Sequence, residues 1–276
     1  MSNAPASYAE RRSNPLTGCL PGLQCWDRCW ARRFAQRHAG RFGYCKTNPF
    51  QPTVHEDRMG EWKRWRRPST IALCFMGDAF AMAGDGHWDM ALGRMLGHVS
   101  EAPQHRFLLL TKRIGRAREW VSRTSFYPSG DRSQRPVLGF PSNLWIGVSV
   151  EDRDSLARVD VLRETPAAHR WISIEPQVGD VGELDLRGIS WLVQGCESGP
   201  GRRPFDIAWA RSVRDQCAAA GTAYYLKQMP TPGCQRHDDD CPFAPCDETC
   251  EERRSVVTKH PTLDGRTHTD LPWVKP

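Results

Sequence analysis

From Thr70 onward six short apolar runs recur, separated by stretches of helical character, and this alternation restricts the chain to few architectures. The runs are TIALCFMGD (Thr70–Asp78), RFLLLTKR (Arg106–Arg113), LWIGVSVED (Leu144–Asp152), RWISIEP (Arg170–Pro176), SWLVQGCESG (Ser190–Gly199) and AYYLKQMP (Ala223–Pro230). Each is almost continuously apolar and then ends in polar residues. A strand with one face in water alternates apolar and polar side chains, so an unbroken run suits a strand covered on both faces of a parallel sheet. Amphipathic segments lie between them at Asp85–Ser100, Asp154–Thr165 and Phe205–Gly221, the last closed by a helix-stopping glycine. Strand, helix, strand repeated about six times predicts an α/β fold. Periodicity leaves open whether the sheet curls. If it does, six units in place of the eight of a closed barrel make it a partial (β/α)6 TIM-like barrel.

The chain has 276 residues, of which 39% are hydrophobic, enough for one large domain or two modest ones. No apolar stretch approaches the roughly 20 residues of a membrane helix, and the opening MSNAPASYAERRSNP has no apolar run after its charges. The expectation is a cytoplasmic protein without a membrane partner. The net charge of +6 is carried largely by arginine clusters, EWKRWRRP (Glu61–Pro68) and SGPGRRPF (Ser198–Phe205). Arginine beside tryptophan suits phosphate binding and base stacking. The plainer reading is a solvated basic face with buried indoles, because +6 is a small excess for a dedicated nucleic-acid binder. The stretch Ser122–Pro141, rich in Ser, Pro, Gly and Arg, reads as a loop.

Eleven cysteines is a high count for such a chain, and an odd total argues against a complete disulfide framework, which leaves metal binding. Cys19, Cys25 and Cys29 fall within TGCLPGLQCWDRCW, just ahead of a helical segment. As zinc ligands they need a fourth partner, for which His38 or Cys45 would serve. As iron–sulfur ligands three thiolates suffice, since a four-iron cluster can leave one iron open to a substrate or cofactor. Past Met229 the apolar pattern stops. The polar segment that follows carries Cys234, Cys241, Cys246 and Cys250 with His237 between them, and nothing but metal or crosslinks would order it. The expected organisation is therefore a partial barrel over 1–230 and a Cys-rich extension over 231–276, with a second metal site of zinc or iron–sulfur type. Cys74 and Cys217 read as small core hydrophobes, and the tryptophans mostly as core, although Trp26 and Trp30 stand where they would shield a cluster.

In a repeated strand–helix fold the functional groups gather at the C-terminal ends of the strands. Those ends here are polar: Met76, Gly77 and Asp78; Thr111, Lys112 and Arg113; Ser149 and Glu151; Glu175; Gly195, Cys196, Glu197 and Ser198; Lys227 and Gln228. Some of them, Asp78 and Glu151 among them, also suit helix N-caps. No catalytic residue is singled out by its type alone.

The segment NPLTGCLPGLQCWDRCWARR resembles the opening of a family of phage-associated radical-SAM-like proteins. The likeness continues through VHEDRMGEWKRWRRP, FMGDAF, FLLLTKR, WIGVSVED, ISIEP, CESGPGRRP, VRDQCAAAG, YYLKQ and LDGR, and so covers nearly all of Asn14–Gln228 and returns at Leu263–Arg266. The resemblance implies a partial barrel whose Cys19, Cys25 and Cys29 hold a [4Fe-4S] cluster. S-adenosyl-L-methionine then chelates the open iron, and an external electron donor drives its cleavage to a 5′-deoxyadenosyl radical that abstracts hydrogen. It also implies that Met76, Gly77 and Asp78 meet the methionine amino group, and that Ser149 and Glu151 hold the ribose or carboxylate. Glu175, Glu197 and Ser198 would contact substrate or cofactor, while Cys196 stands where relatives carry glycine. The usual spacing in that superfamily is CxxxCxxC, whereas here five residues separate the first pair and three the second. Together with the arginine clusters, the resemblance points to a nucleobase or a modified nucleotide in DNA as substrate, with a peptide or small metabolite as the alternative. Two other readings are a zinc-stabilised nucleic-acid-binding module without radical chemistry, and an inactive relative kept as a scaffold.

Overall fold

All six apolar runs form strands, and the sheet gains one more strand at each edge. The computed structural model describes residues 8–126, 137–199, 201–231 and 256–274, so Cys234, Cys241, Cys246 and Cys250 lie outside the described residues. The sheet strands are β1 (Arg11–Ser13), β2 (Thr70–Leu73), β3 (Arg106–Thr111), β4 (Leu144–Ser149), β5 (His169–Ile174), β6 (Trp191–Gly195), β7 (Ala223–Thr231) and β8 (Val256–Lys259). They hydrogen-bond in the order of the chain, β1 through β8. Neighbours from β1 to β4 are parallel, as are β6 and β7, while β8 runs antiparallel to β7. A doubly wound sheet reverses its strand order at a switch point, whereas this one adds each strand beside its predecessor, the winding of a (β/α) barrel. The fold is a partial TIM-like barrel.

The helices are α1 (Trp30–Arg37), α2 (Gly86–Ser100), α3 (Ile114–Arg123), α4 (Ala157–Glu164) and α5 (Ile207–Ala220). The Asp85 carboxylate accepts from the Trp88 N–H at 3.0 Å to cap α2, and Asp206 caps α5 through the Ala208 N–H at 2.8 Å. Gly221 ends α5 at φ +68°, the left-handed turn that glycine makes without strain. Ahead of α4, Asp152 and Ser155 form a reciprocal capping box around a single 3-10 turn.

The chain divides into two compact units, Met1–Ser149 with Ala157–Ile172 and Val150–Leu156 with Ser173–Pro276. In the first, Ile71, Leu73, Phe107, Leu108 and Leu144 of the sheet and Leu92, Met95 and Leu96 of α2 are all fully buried. Three of its indoles find partners as they are buried: Trp62 donates to the His98 carbonyl at 2.9 Å, Trp88 to Ala79 at 2.8 Å and Trp171 to Trp145 at 3.0 Å, whereas the buried Trp120 N–H has no partner among the described residues. The second unit is built on Trp191, Leu192, Val193 and Leu226, with Val213 and Cys217 from α5. There the LDGR motif forms a hairpin whose Asp264 takes both Arg211 and Arg214 of α5, at 2.7 and 2.6 Å.

Two elements outside the six runs have weak apolar signatures. β1 reads RRS and exposes both arginines, so only its backbone ties it to β2. The α3 stripe, Ile114, Ala117, Trp120 and Val121, is embedded among arginines. A close contact in the sheet supplies a test of the packing. A Cβ on Gly147 would stand 2.3 Å from the Trp171 indole, which is fully buried and cannot swing away. Gly147→Ala is expected to lower stability by about 1–3 kcal/mol, the cost of overpacking a filled core, measured by urea unfolding of the full chain.

Candidate functional site

The first unit's candidate site begins with two glycines. The Gly18 N–H donates to the Met76 carbonyl at 3.0 Å, the Asp78 N–H donates back to the Gly18 carbonyl at 3.1 Å, and the Cys19 N–H donates to Phe50 at 3.1 Å. A Cβ on Gly77 would sit 2.2 Å from the Gly18 oxygen, and one on Gly18, whose φ is +83°, would sit 2.1 Å from the Gln51 oxygen. Only glycine permits this approach at either position. It fixes Cys19 beside the residues that follow β2.

Around that anchor the three front cysteines are held by different means. Ala31 and Ala35 of α1, with Tyr44 and Phe50, form an apolar cluster on which Cys19, Trp26, Cys29 and Met76 all pack. Cys29 occupies the N-cap position of α1. Trp30, by contrast, is 57% exposed and shields nothing buried. At the end of β3, Arg113 donates to the Leu20 carbonyl at 2.8 Å and reaches 3.8 Å from the Cys19 sulfur. Its Nε is buried and finds no hydrogen-bond partner among the described residues. Lys112, one residue earlier, donates to the Ser149 hydroxyl at 2.9 Å, and the Ser149 carbonyl accepts from Arg158 at 2.8 Å.

The electrostatics follow from this crowding. Burial pushes the Cys19 thiol up, Asp78 adds to the effect, and Arg113 opposes it. Burial likewise raises Cys25, against the pull of Lys112. Lys112 is itself brought down to about 8, first by burial, with Cys25 and Cys29 acting to keep its charge. Cys74 and Cys217, buried and pushed up to about 12, are inert hydrophobes as expected. Among the described residues no three His, Cys, Asp or Glu side chains stand close enough to hold one metal ion. The two side chains expected to complete a zinc site have other partners. His38 bonds the Phe34 carbonyl at 2.9 Å and stacks on the Phe34 ring, and the Cys45 sulfur lies 3.4 Å from the Thr47 hydroxyl.

Asp78 is absorbed by the chain itself. One carboxylate oxygen accepts from the Thr111 hydroxyl at 2.8 Å and the Phe80 N–H at 3.0 Å, and the other from the Lys112 N–H at 3.0 Å. It ties the end of β2 to the end of β3.

In the second unit, Glu175 pairs with Lys227 at 2.7 Å and accepts from Ser173 at 3.3 Å. Glu197, nearly buried, takes a forked contact from Arg203, whose Nε and Nη2 both lie at 3.0 Å, and it also accepts the Arg203 N–H at 2.9 Å. This bidentate pair closes the loop after β6. Cys196 is buried beside Glu175 and Glu197, which with burial push its thiol up to about 11, while Ser198 is exposed. The Glu151 backbone anchors a turn, its N–H donating to Ser155 at 2.8 Å and its carbonyl accepting from Val178 at 2.9 Å.

Among these, Lys112, Arg113 and Lys227 are visible in sequence as polar strand ends without a role, and Arg158 carries no signal, being one arginine on a short helix. The chain is similar in structure to spore photoproduct lyase complexed with dinucleoside spore photoproduct, at 12% identity and a TM-score of 0.44, over 86% of this chain and 68% of that one. The same values hold for a variant of that lyase with bound AdoMet and dinucleoside spore photoproduct, and a further variant gives 14% and 0.42 over the same shares. No curated protein matches the chain in sequence. Residues 3–272 match the family described as Protein of unknown function (DUF5131), and the chain belongs to that family.

Proposed function

We propose that the chain is a radical S-adenosylmethionine enzyme whose Cys19, Cys25 and Cys29 hold a [4Fe-4S] cluster and whose substrate is a nucleobase or nucleotide. One observation carries this reading: three thiols of the first unit are arranged about the end of β3, where Lys112 and Arg113 supply cations and the Arg113 Nε is buried without a partner. A buried guanidinium N–H left unbonded is costly, and an anionic group beside Cys19 would satisfy it.

When bound, cluster and S-adenosylmethionine supply a hydrogen-abstracting radical, for which an external donor provides the electron. The chain supplies position and charge. Lys112, oriented by Ser149, presents an ammonium suited to a carboxylate, and Arg158 fixes the Ser149 backbone. Met76 and Gly77 set the backbone beside Cys19, and we assign Asp78 to holding the strand ends together in place of a direct cofactor contact. Glu151, Glu175 and Ser198 are assigned to cofactor or substrate contacts in the second unit, and Glu197 to fixing the loop that carries Arg203. The tail cysteines Cys234, Cys241, Cys246 and Cys250 are assigned to a second metal site in the extension over 231–276.

Anaerobic reconstitution with iron and sulfide tests the reading. Cys25→Ala is expected to lose the front cluster's share of iron and to abolish reductive formation of 5′-deoxyadenosine; zinc in place of iron, or indifference to the substitution, would sink the proposal. Gly77→Ala removes no thiol, yet it forces Gly18 and Cys19 away and should lower iron retention in the same assay. Asp78→Asn leaves the Lys112 N–H facing an amide donor, so the cluster-free protein should lose about 1–3 kcal/mol in denaturant unfolding.

A further inference from the structure

The first unit carries a second constellation at the opposite edge of its strands, where β1 and β2 begin. A groove of about 540 Å³ is lined there by Arg11, Arg12, Trp65 and Arg67, among others. Register places it: Arg11 pairs with Ile71, the second residue of β2, and Ser69 accepts from the Arg106 N–H at the start of β3. The cysteines lie beyond the other ends of these strands, so the groove belongs to a separate surface.

Three arginines against one carboxylate, Glu10, make its lining mainly cationic. The guanidinium of Arg11 lies over the Trp65 ring, 4.7 Å from the centroid, and His105 packs edge-on against the same indole at 6.3 Å. Trp65 is half-buried and held, so ring and guanidinium form a flat cationic platform. Beside it Arg64, Arg66 and Arg67 are exposed, and their side chains make no hydrogen bond or ion pair with a described residue. The Glu10 carboxylate also lines the groove, and Glu61 lies in the turn ahead of Trp65. The Glu10 carboxylate accepts from the Thr70 N–H, and Glu61 accepts from the Ser13 hydroxyl at 2.6 Å.

We propose that this groove binds a single-stranded nucleic acid segment, one base stacked on the Arg11–Trp65 platform and the flanking phosphates on Arg66 and Arg67. Arginine matches phosphate with a planar fork, and an indole stacks on any base, so the pair suits a strand without a sequence requirement. A duplex buries its base faces in its own stack and leaves the platform unused. The proposal rests on the nucleic-acid reading of the substrate given above, and it places a holding site away from the proposed chemistry.

Fluorescence anisotropy of a labelled oligothymidylate with the full chain is the test. Arg66→Glu with Arg67→Glu should weaken binding at least about tenfold and flatten the log–log salt dependence by about 1.4, two phosphate contacts of a single strand. Trp65→Ala should weaken it by about tenfold, with Trp65→Phe restoring most of the loss. Arg41→Glu with Lys46→Glu, an equal change of charge on the loop after α1, should leave it within about threefold, because a locally held strand depends on local contacts. Equal losses from both charge pairs, indifference to Trp65, or duplex binding as tight as single-strand binding would each overturn the proposal. The Arg66→Glu/Arg67→Glu chain should still form 5′-deoxyadenosine after reconstitution, so failure of the groove and failure of the radical reading are separate results.

Discussion

The backbone contact between Gly18 and Gly77 is the constraint on which the candidate site depends. Side chains do not make it; two main-chain hydrogen bonds and the absence of two Cβ atoms do. Through it the loop bearing Cys19 is docked against the chain leaving β2, and the same step of backbone delivers Asp78 to β3. Hydrophobic packing alone would not achieve this, since apolar contacts set distance loosely and tolerate sliding, whereas paired amides fix register. The apolar cluster under α1 then settles Cys29 on a surface that is already in place.

The strand ends show how acidic residues divide between scaffold and site. Asp78 and Glu197 spend their oxygens on the chain's own donors, one bridging two strands and the other clasping Arg203. A carboxylate with its lone pairs filled from within contributes geometry and little reactivity. The Lys227–Glu175 pair and the Lys112–Ser149 bond differ, because each places an ammonium, with its donors, at a strand end.

The legibility of these features in sequence follows their physics. Strands covered on both faces leave an apolar run that reads directly, and all six were legible, as was the stop at Gly221; the caps fell at Asp85 and Asp206, whereas residue type had suggested Asp78 and Glu151. β1 was not, because backbone pairing holds it while its arginines face water, and β8 lies beyond the last apolar run. The three front cysteines marked a candidate site by count and proximity. The glycine contact did not, since residues far apart in the chain give no local sign that their backbones touch. Residue type marked Asp78 as a strand-end acid, but its fate as ligand or strut depends on which donors surround it, and only the fold decides that.

The pairing of β7 with β8 has a consequence for how the chain varies. Thr231 and Val256 are directly opposed in the ladder, so the intervening stretch departs from and returns to a single rung of the sheet. A segment anchored in this way can lengthen, shorten or be exchanged with little change in the distance its ends must span, and closure costs grow only slowly with length. The rung acts as a socket. The barrel strands need not adjust when the length of chain between its two ends changes.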